Sequence, residues 1–192
     1  TLTAKDAELA LLRLTTTTDL DALSDVNYVI EAIVENVTAK RDLFKTIDTL
    51  VAPDVILASN TSAIAINTLS SATTRQSYVL GMHFMNPVPL MPLVELIRGQ
   101  ATSVETVRLS IELIKIIGKT PVEAADRPGF IANRVLMPMI NEAIYALMEE
   151  VGSAEAIDTV MKVGMNHPMG PLALADLIGL DVCLDIMRVL HE

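Results

Sequence analysis

The segment Gly81-Met-His-Phe-Met-Asn-Pro-Val-Pro-Leu-Met-Pro-Leu-Val-Glu95 holds the residues best suited to chemistry. An imidazole titrates near neutral pH and can move a proton. A carboxylate brought to its ring fixes the tautomer and stabilises the imidazolium. His83 stands at the end of an apolar run, just before the irregular Asn86-Pro-Val-Pro89. Glu95 lies on the next apolar run, and a chain reversal at the prolines would join the two. Spacing alone also admits a plainer pair, a satisfied interior histidine and an ordinary edge carboxylate, and on its own it favours that pair.

Three further segments carry polar groups at places where ligands collect. Ser59-Asn-Thr-Ser62 follows a short apolar run, and its hydroxyls and amide could hold a substrate oxygen or a cofactor amide. The same residue types are also the preferred helix N-caps. Asn133, in Asp126-Arg-Pro-Gly-Phe-Ile-Ala-Asn-Arg134, sits on the first turns of a helix at a change in chain character. Clefts at such junctions favour binding, although a solvent-facing asparagine would read the same. In Glu31-Ala-Ile-Val-Glu35, Glu35 could accept hydrogen bonds from a ribose, and Lys40 could face a phosphate. A loop carboxylate and a solvated lysine are the simpler alternatives. His167 and Cys183 are single and lack partners at ligand spacing, so no metal site is expected. The dispersed methionines read as core.

The elements that must position these groups fall into two halves. Residues 27–34, 55–58, 78–84, 93–97 and 120–124 are short runs rich in β-branched and apolar residues, and read as strands. Helical stretches over 6–12, 37–50, 64–71 and 103–117 alternate with them, with Ser103 as a cap and Gly118 as a stop. That alternation predicts βα units and a parallel sheet. From Pro128 onward only helices are expected: 130–150 with a kink at Pro138, one opening at Ser153, and one running unbroken over 172–191. Pro128 and Gly129 read as the start of the first of these. The predicted division is therefore an α/β part over 1–126 and an all-helical part over 127–192.

Composition excludes several function classes. The 192 residues carry 14 Lys plus Arg against 24 Asp plus Glu, a formal net charge of −10. That balance opposes non-specific binding to nucleic acid and to anionic membrane surfaces. At 51% apolar and 20% charged residues the chain is not a disordered one. No apolar run reaches the ~20 residues of a spanning helix, and 172–187 is broken by Asp176, Asp181 and Asp185. A single cysteine fits a reducing, cytoplasmic compartment. The eight glycines include no G-x-G pair of the kind that opens a nucleotide-binding sheet, and no methionine starts the chain. Both lead to the expectation that this is a piece of a longer protein.

Taken together, six motifs resemble the 3-hydroxyacyl-CoA dehydrogenase family, most closely its bacterial 3-hydroxybutyryl-CoA branch. They are Val29-Ile-Glu-Ala with Glu35, Ser59-Asn-Thr-Ser62, Gly81-Met-His-Phe with Asn86-Pro-Val-Pro89, Leu93-Val-Glu95, Pro128-Gly-Phe-Ile-Ala-Asn-Arg134, and His167-Pro-Met-Gly-Pro171 leading to Asp176-Leu-Ile-Gly-Leu-Asp181. The resemblance implies a partial Rossmann-like, mostly parallel domain followed by a helical domain that dimerises. It implies His83 as general base, with Glu95 as its orienting partner. Ser62 and Asn133 would hold the substrate oxygen. Glu35, Lys40, Ser62 and Asn86 would contact a nicotinamide cofactor, NAD or NADP, and the substrate would be an acyl-CoA. The alternatives are a β-hydroxyacid dehydrogenase for a substrate without CoA, disfavoured by the His–Glu pairing, and a non-catalytic homologue kept as a structural dimer or CoA binder.

Overall fold

A computed structural model describes residues 3–191. After a peripheral helix α1 (Ala4–Leu11) and a short 3-10 turn (Leu20–Asp25), the chain builds β1 (Tyr28–Glu31), α2 (Val37–Leu50), β2 (Ile56–Ser59), α3 (Ile66–Ser70), β3 (Val79–Phe84), β4 (Leu93–Arg98), α4 (Val104–Ile116) and β5 (Thr120–Ala125). The strands form one sheet in the order β1-β2-β3-β4-β5. Every expected strand is present. The first is shorter than its β-branched run, because the chain turns away after Glu31.

One pairing departs from the parallel expectation: β3 and β4 run antiparallel, while the other three pairs are parallel. A parallel neighbour needs a crossover of a dozen or more residues. The proline-rich stretch from Met85 to Pro92 contains no helix to supply one, so the chain folds straight back. This reversal sets the site, because its register places His83 directly opposite Glu95. Directly opposed side chains in an antiparallel pair have Cβ atoms about 4.5–5.5 Å apart.

Helices cover both faces, and the strand alternation sorts side chains between them. Leu57 and Val79 pack with Phe44, Ile47, Ile66 and Leu69 on the α2–α3 side. Ile56, Ala58, Leu80 and Met82 pack with Val107 and Ile114 of α4 on the other. Gly81 lets α3 close onto the sheet: a Cβ there would lie 2.9 Å from both Ile66 and Ile97.

Asp48 and Arg75 staple the end of α2. Arg75 Nε donates to Asp48 Oδ1 at 2.6 Å. Its terminal nitrogens donate to the carbonyls of Asp48, Val51 and Ala52, acceptors that the helix end leaves open. Thr74 donates its amide and its hydroxyl to Asp48 Oδ2. A lysine keeps the charge but cannot reproduce this fork. Arg75→Lys is therefore expected to cost about 1–2 kcal/mol, read as a lower urea midpoint at unchanged slope.

The helical half comprises α5 (Ala132–Met148), α6 (Ala154–Thr159) continued by a π-turn (Val160–Gly164), α7 (Pro171–Ile178) and α8 (Leu180–His191). Met137, Ile140, Ala175 and Cys183 form its core. Two expectations are corrected here, the start of the first helix and the unbroken run over 172–191. The first helix begins at Ala132 and not at Pro128–Gly129, because Gly129 and Phe130 take φ values of 76° and 50°. Pro138 lies within a continuous α5. The stretch 172–191 is two helices, broken at Gly179 with φ 101°. Asp158 on α6 accepts the amides of Leu172 and Ala173 at 2.9 Å each, capping α7.

Candidate active site

His83 Nδ1 lies 2.9 Å from Glu95 Oε2, and both residues are buried. Nε2 has no protein partner among the described residues and is not sealed from solvent. One ring nitrogen is thus anchored and the other is free to exchange a proton with a ligand. The ring of Phe130 packs on the imidazole, with centroids 6.0 Å apart and planes at 59°.

Glu95 does more than orient the histidine. Its Oε1 accepts the amides of Ile131 and Ala132 at 3.0 and 2.9 Å. These are donors that the start of α5 would otherwise leave open. The left-handed pair Gly129–Phe130 turns the chain so that these amides meet Glu95. Burial pushes the Glu95 carboxyl up, but the His83 hydrogen bond and the two amides outweigh it and hold the group below the usual carboxylate range. The carboxylate therefore ties the sheet, the imidazole and the helical half at one point.

One residue further along α5, Asn133 Nδ2 donates to the carbonyl of Ser62 at 3.0 Å. Ser62 belongs to the loop after β2, whose other residues are also pinned. Asn60 Oδ1 accepts the Phe84 amide at 2.9 Å. Thr61 Oγ1 accepts the Ile64 amide at 2.8 Å. Glu35 Oε1, at the end of the loop after β1, accepts Thr61 Oγ1 at 2.5 Å and the amides of Ser62 and Ala63 at 2.9 and 3.1 Å. Hydrogen bonds thus join Glu35 to the Ser62 loop and Ser62 to Asn133, and the start of α5 links Asn133 to Glu95 and His83, at the carboxyl ends of β1, β2 and β3.

The sequence of residues 1–127 matches the family model described as 3-hydroxyacyl-CoA dehydrogenase, NAD binding domain, and residues 129–192 match that of the C-terminal domain. The chain belongs to the 3-hydroxyacyl-CoA dehydrogenase family. It is 58% identical over 185 residues to a probable 3-hydroxybutyryl-CoA dehydrogenase of Deinococcus radiodurans, covering 96% of this chain and 66% of that protein. It is 44% identical over 186 residues to the human mitochondrial hydroxyacyl-coenzyme A dehydrogenase, covering 96% of this chain and 59% of that protein. The crystal structure of the (S)-3-hydroxybutyryl-CoA dehydrogenase of Ralstonia eutropha superposes with a TM-score of 0.97 at 50% identity, covering 99% of this chain and 67% of that one. The chain thus spans slightly less than two thirds of the curated relatives' length.

Within this family member, the two remaining expected cofactor contacts are Lys40 and Asn86. Lys40 does not face outward toward a phosphate. It is 1% exposed, with Nζ 2.7 Å from Glu31 Oε1 and 3.3 Å from Glu35 Oε2. Burial of a lysine demands such partners, and Glu31 on the neighbouring strand supplies one. Asn86 is exposed at the start of the proline-rich turn and makes no protein hydrogen bond among the described residues. Sequence reasoning missed Phe130, whose apolar ring signalled only core, and Thr61, hidden among cap-forming residues. It also missed Asp126, whose carboxylate accepts the amides of Ile66 and Asn67 at 2.9 Å each. That contact is long-range and leaves no local pattern.

Proposed function

We propose that this chain carries the catalytic centre of an NAD-dependent oxidoreductase that interconverts (S)-3-hydroxyacyl-CoA and 3-ketoacyl-CoA, with 3-hydroxybutyryl-CoA as its substrate. The buried His83–Glu95 pair with an open Nε2 carries this reading. In the oxidation direction His83 Nε2 takes the proton of the 3-hydroxyl while the hydrogen on the same carbon leaves as hydride. Glu95 balances the imidazolium that forms. Ser62 and Asn133 hold the reacting oxygen, and in reduction protonated His83 returns the proton to the forming alkoxide.

The residues present suit the nicotinamide half of the cofactor. Glu35 keeps its side chain 41% exposed while Thr61 and two amides hold one of its oxygens. The other carboxylate oxygen can accept from a ribose hydroxyl, and the free hydroxyl of Ser62 and the amide of Asn86 suit a carboxamide. When bound, NAD accepts or returns the hydride. Lys40 then serves the cofactor indirectly, by holding Glu35.

A second copy of the chain is the proposed partner, through the helical half. Val135, Met148, Val151, Val163 and Leu177 are large apolar side chains left open there. Exposed apolar area of this kind marks interaction surfaces. No helix among the described residues is long and apolar enough to cross a membrane. With one buried cysteine, a reducing cytoplasm suits the chain.

The test is NADH oxidation driven by acetoacetyl-CoA, run with NADPH in parallel, on this chain and on the chain completed to the length of its relatives. Turnover with NADH in the completed protein is the expected result. No turnover from either folded protein, with either cofactor, would overturn the reading in favour of a non-catalytic homologue.

A further inference from the structure

Glu31 is a fully buried carboxylate that the proposed chemistry leaves without a role. Its two oxygens bond to the loop after β1, to α2 and to the end of β2. Oε1 accepts the Ile33 amide at 2.6 Å and Lys40 Nζ at 2.7 Å. Oε2 accepts Ser59 Oγ at 2.6 Å. Lys40 Nζ in turn donates to the Ile33 carbonyl at 3.2 Å and reaches Glu35 Oε2 at 3.3 Å. Both polar groups of Ile33 are therefore tied down, one by each member of the buried pair.

Those ties act on the residues that face the ligand. Ile33 lies midway between the end of β1 and Glu35, so fixing its peptide groups fixes the path of that loop. Lys40 holds the outer oxygen of Glu35, and the inner one receives Thr61, Ser62 and Ala63. A half-exposed glutamate without the ammonium beside it regains rotamer freedom, and the loop amides lose a fixed acceptor.

We infer that Glu31 and Lys40 are positioning residues: a buried carboxylate–ammonium pair that fixes Glu35 and, through it, the Ser62 loop. The geometry stands by itself; its value for cofactor binding rests on the function proposed above. A pair that served only stability would be replaceable by apolar side chains of similar volume without local consequence, since such swaps are often neutral in stability. The positioning role predicts a local loss instead.

The test compares Glu31→Gln and the double variant Glu31→Leu/Lys40→Met with the wild-type chain by amide hydrogen exchange, alongside thermal unfolding. In both variants the Ser62 and Ala63 amides are expected to exchange roughly tenfold faster. The Ile66 and Asn67 amides, held by Asp126, should keep their protection, and the melting temperature of the double variant should stay close to wild type. Retained protection at Ser62 and Ala63 in a folded variant would overturn the inference. So would unfolding of both variants, which would assign the pair to stability alone. The exchange readout is independent of turnover, so an inactive chain would sink the enzymatic reading without touching this one.

Discussion

His83→Gln in the chain completed to the length of its relatives is expected to lower kcat by about 10²–10⁴, the usual scale of lost acid–base catalysis. Glutamine is the informative replacement. Its amide can still donate to Glu95 Oε2, now 2.9 Å from His83 Nδ1, so the carboxylate keeps a partner. The antiparallel β3–β4 register that opposes the two positions is set by backbone bonds and survives. Only the ability to take a proton on the outer nitrogen is lost. KM for the acyl-CoA should therefore move far less than kcat, because the ground-state contacts proposed for Ser62 and Asn133 would remain. Steady-state kinetics in both directions, with a urea midpoint to confirm an intact fold, decides the matter. A variant within tenfold of wild-type turnover would remove His83 from the chemistry.

That His83 and Glu95 would meet was half readable in the sequence. The prolines after Asn86 announced a reversal, and a reversal makes neighbours of the flanking runs. The register that opposes the two residues was not readable, because it depends on how many residues the loop consumes. The strands of the sheet were readable for a simple reason: buried runs rich in β-branched residues have few other uses. What failed to show were features decided by distant partners. Lys40 looks like any helix lysine until Glu31 is placed beside it across the β1–α2 turn. Gly179 sat inside an apolar pattern that a helix tolerates, yet its φ of 101° splits that pattern into α7 and α8. Phe130 carries no local sign of a positive φ. Its conformation follows from the demand that the next two amides reach Glu95 while the ring covers His83.

Glu95→Gln should be nearly as damaging as loss of the histidine, for a reason visible in the hydrogen bonds. The carboxylate accepts on both oxygens: from the amides of Ile131 and Ala132 on one, and from the imidazole on the other. Glutamine has a single oxygen. With that oxygen kept by the two amides of α5, its NH₂ faces Nδ1 and must donate. The imidazole then carries its proton on Nε2, the wrong tautomer for taking one from a substrate, and the imidazolium loses its counter-charge. A fall in kcat of about 10²-fold or more at little change in KM is expected; a pure KM effect would refute the role. The same substitution has a pH signature. Despite burial, which pushes it up, the Glu95 carboxyl is held below the usual range by His83 and the two amides. A depressed carboxyl adds stability that is fully present above its unfolded pKa, ~4.3 for glutamate, and that is lost as pH falls through the lower folded value. Wild type should thus exceed Glu95→Gln in urea midpoint at neutral pH, and the gap should close only as acid takes the solution below the ordinary carboxylate range. A gap that stays constant down through that range would mean that shape at this position, and not the charge joining sheet, imidazole and α5, is what the fold uses.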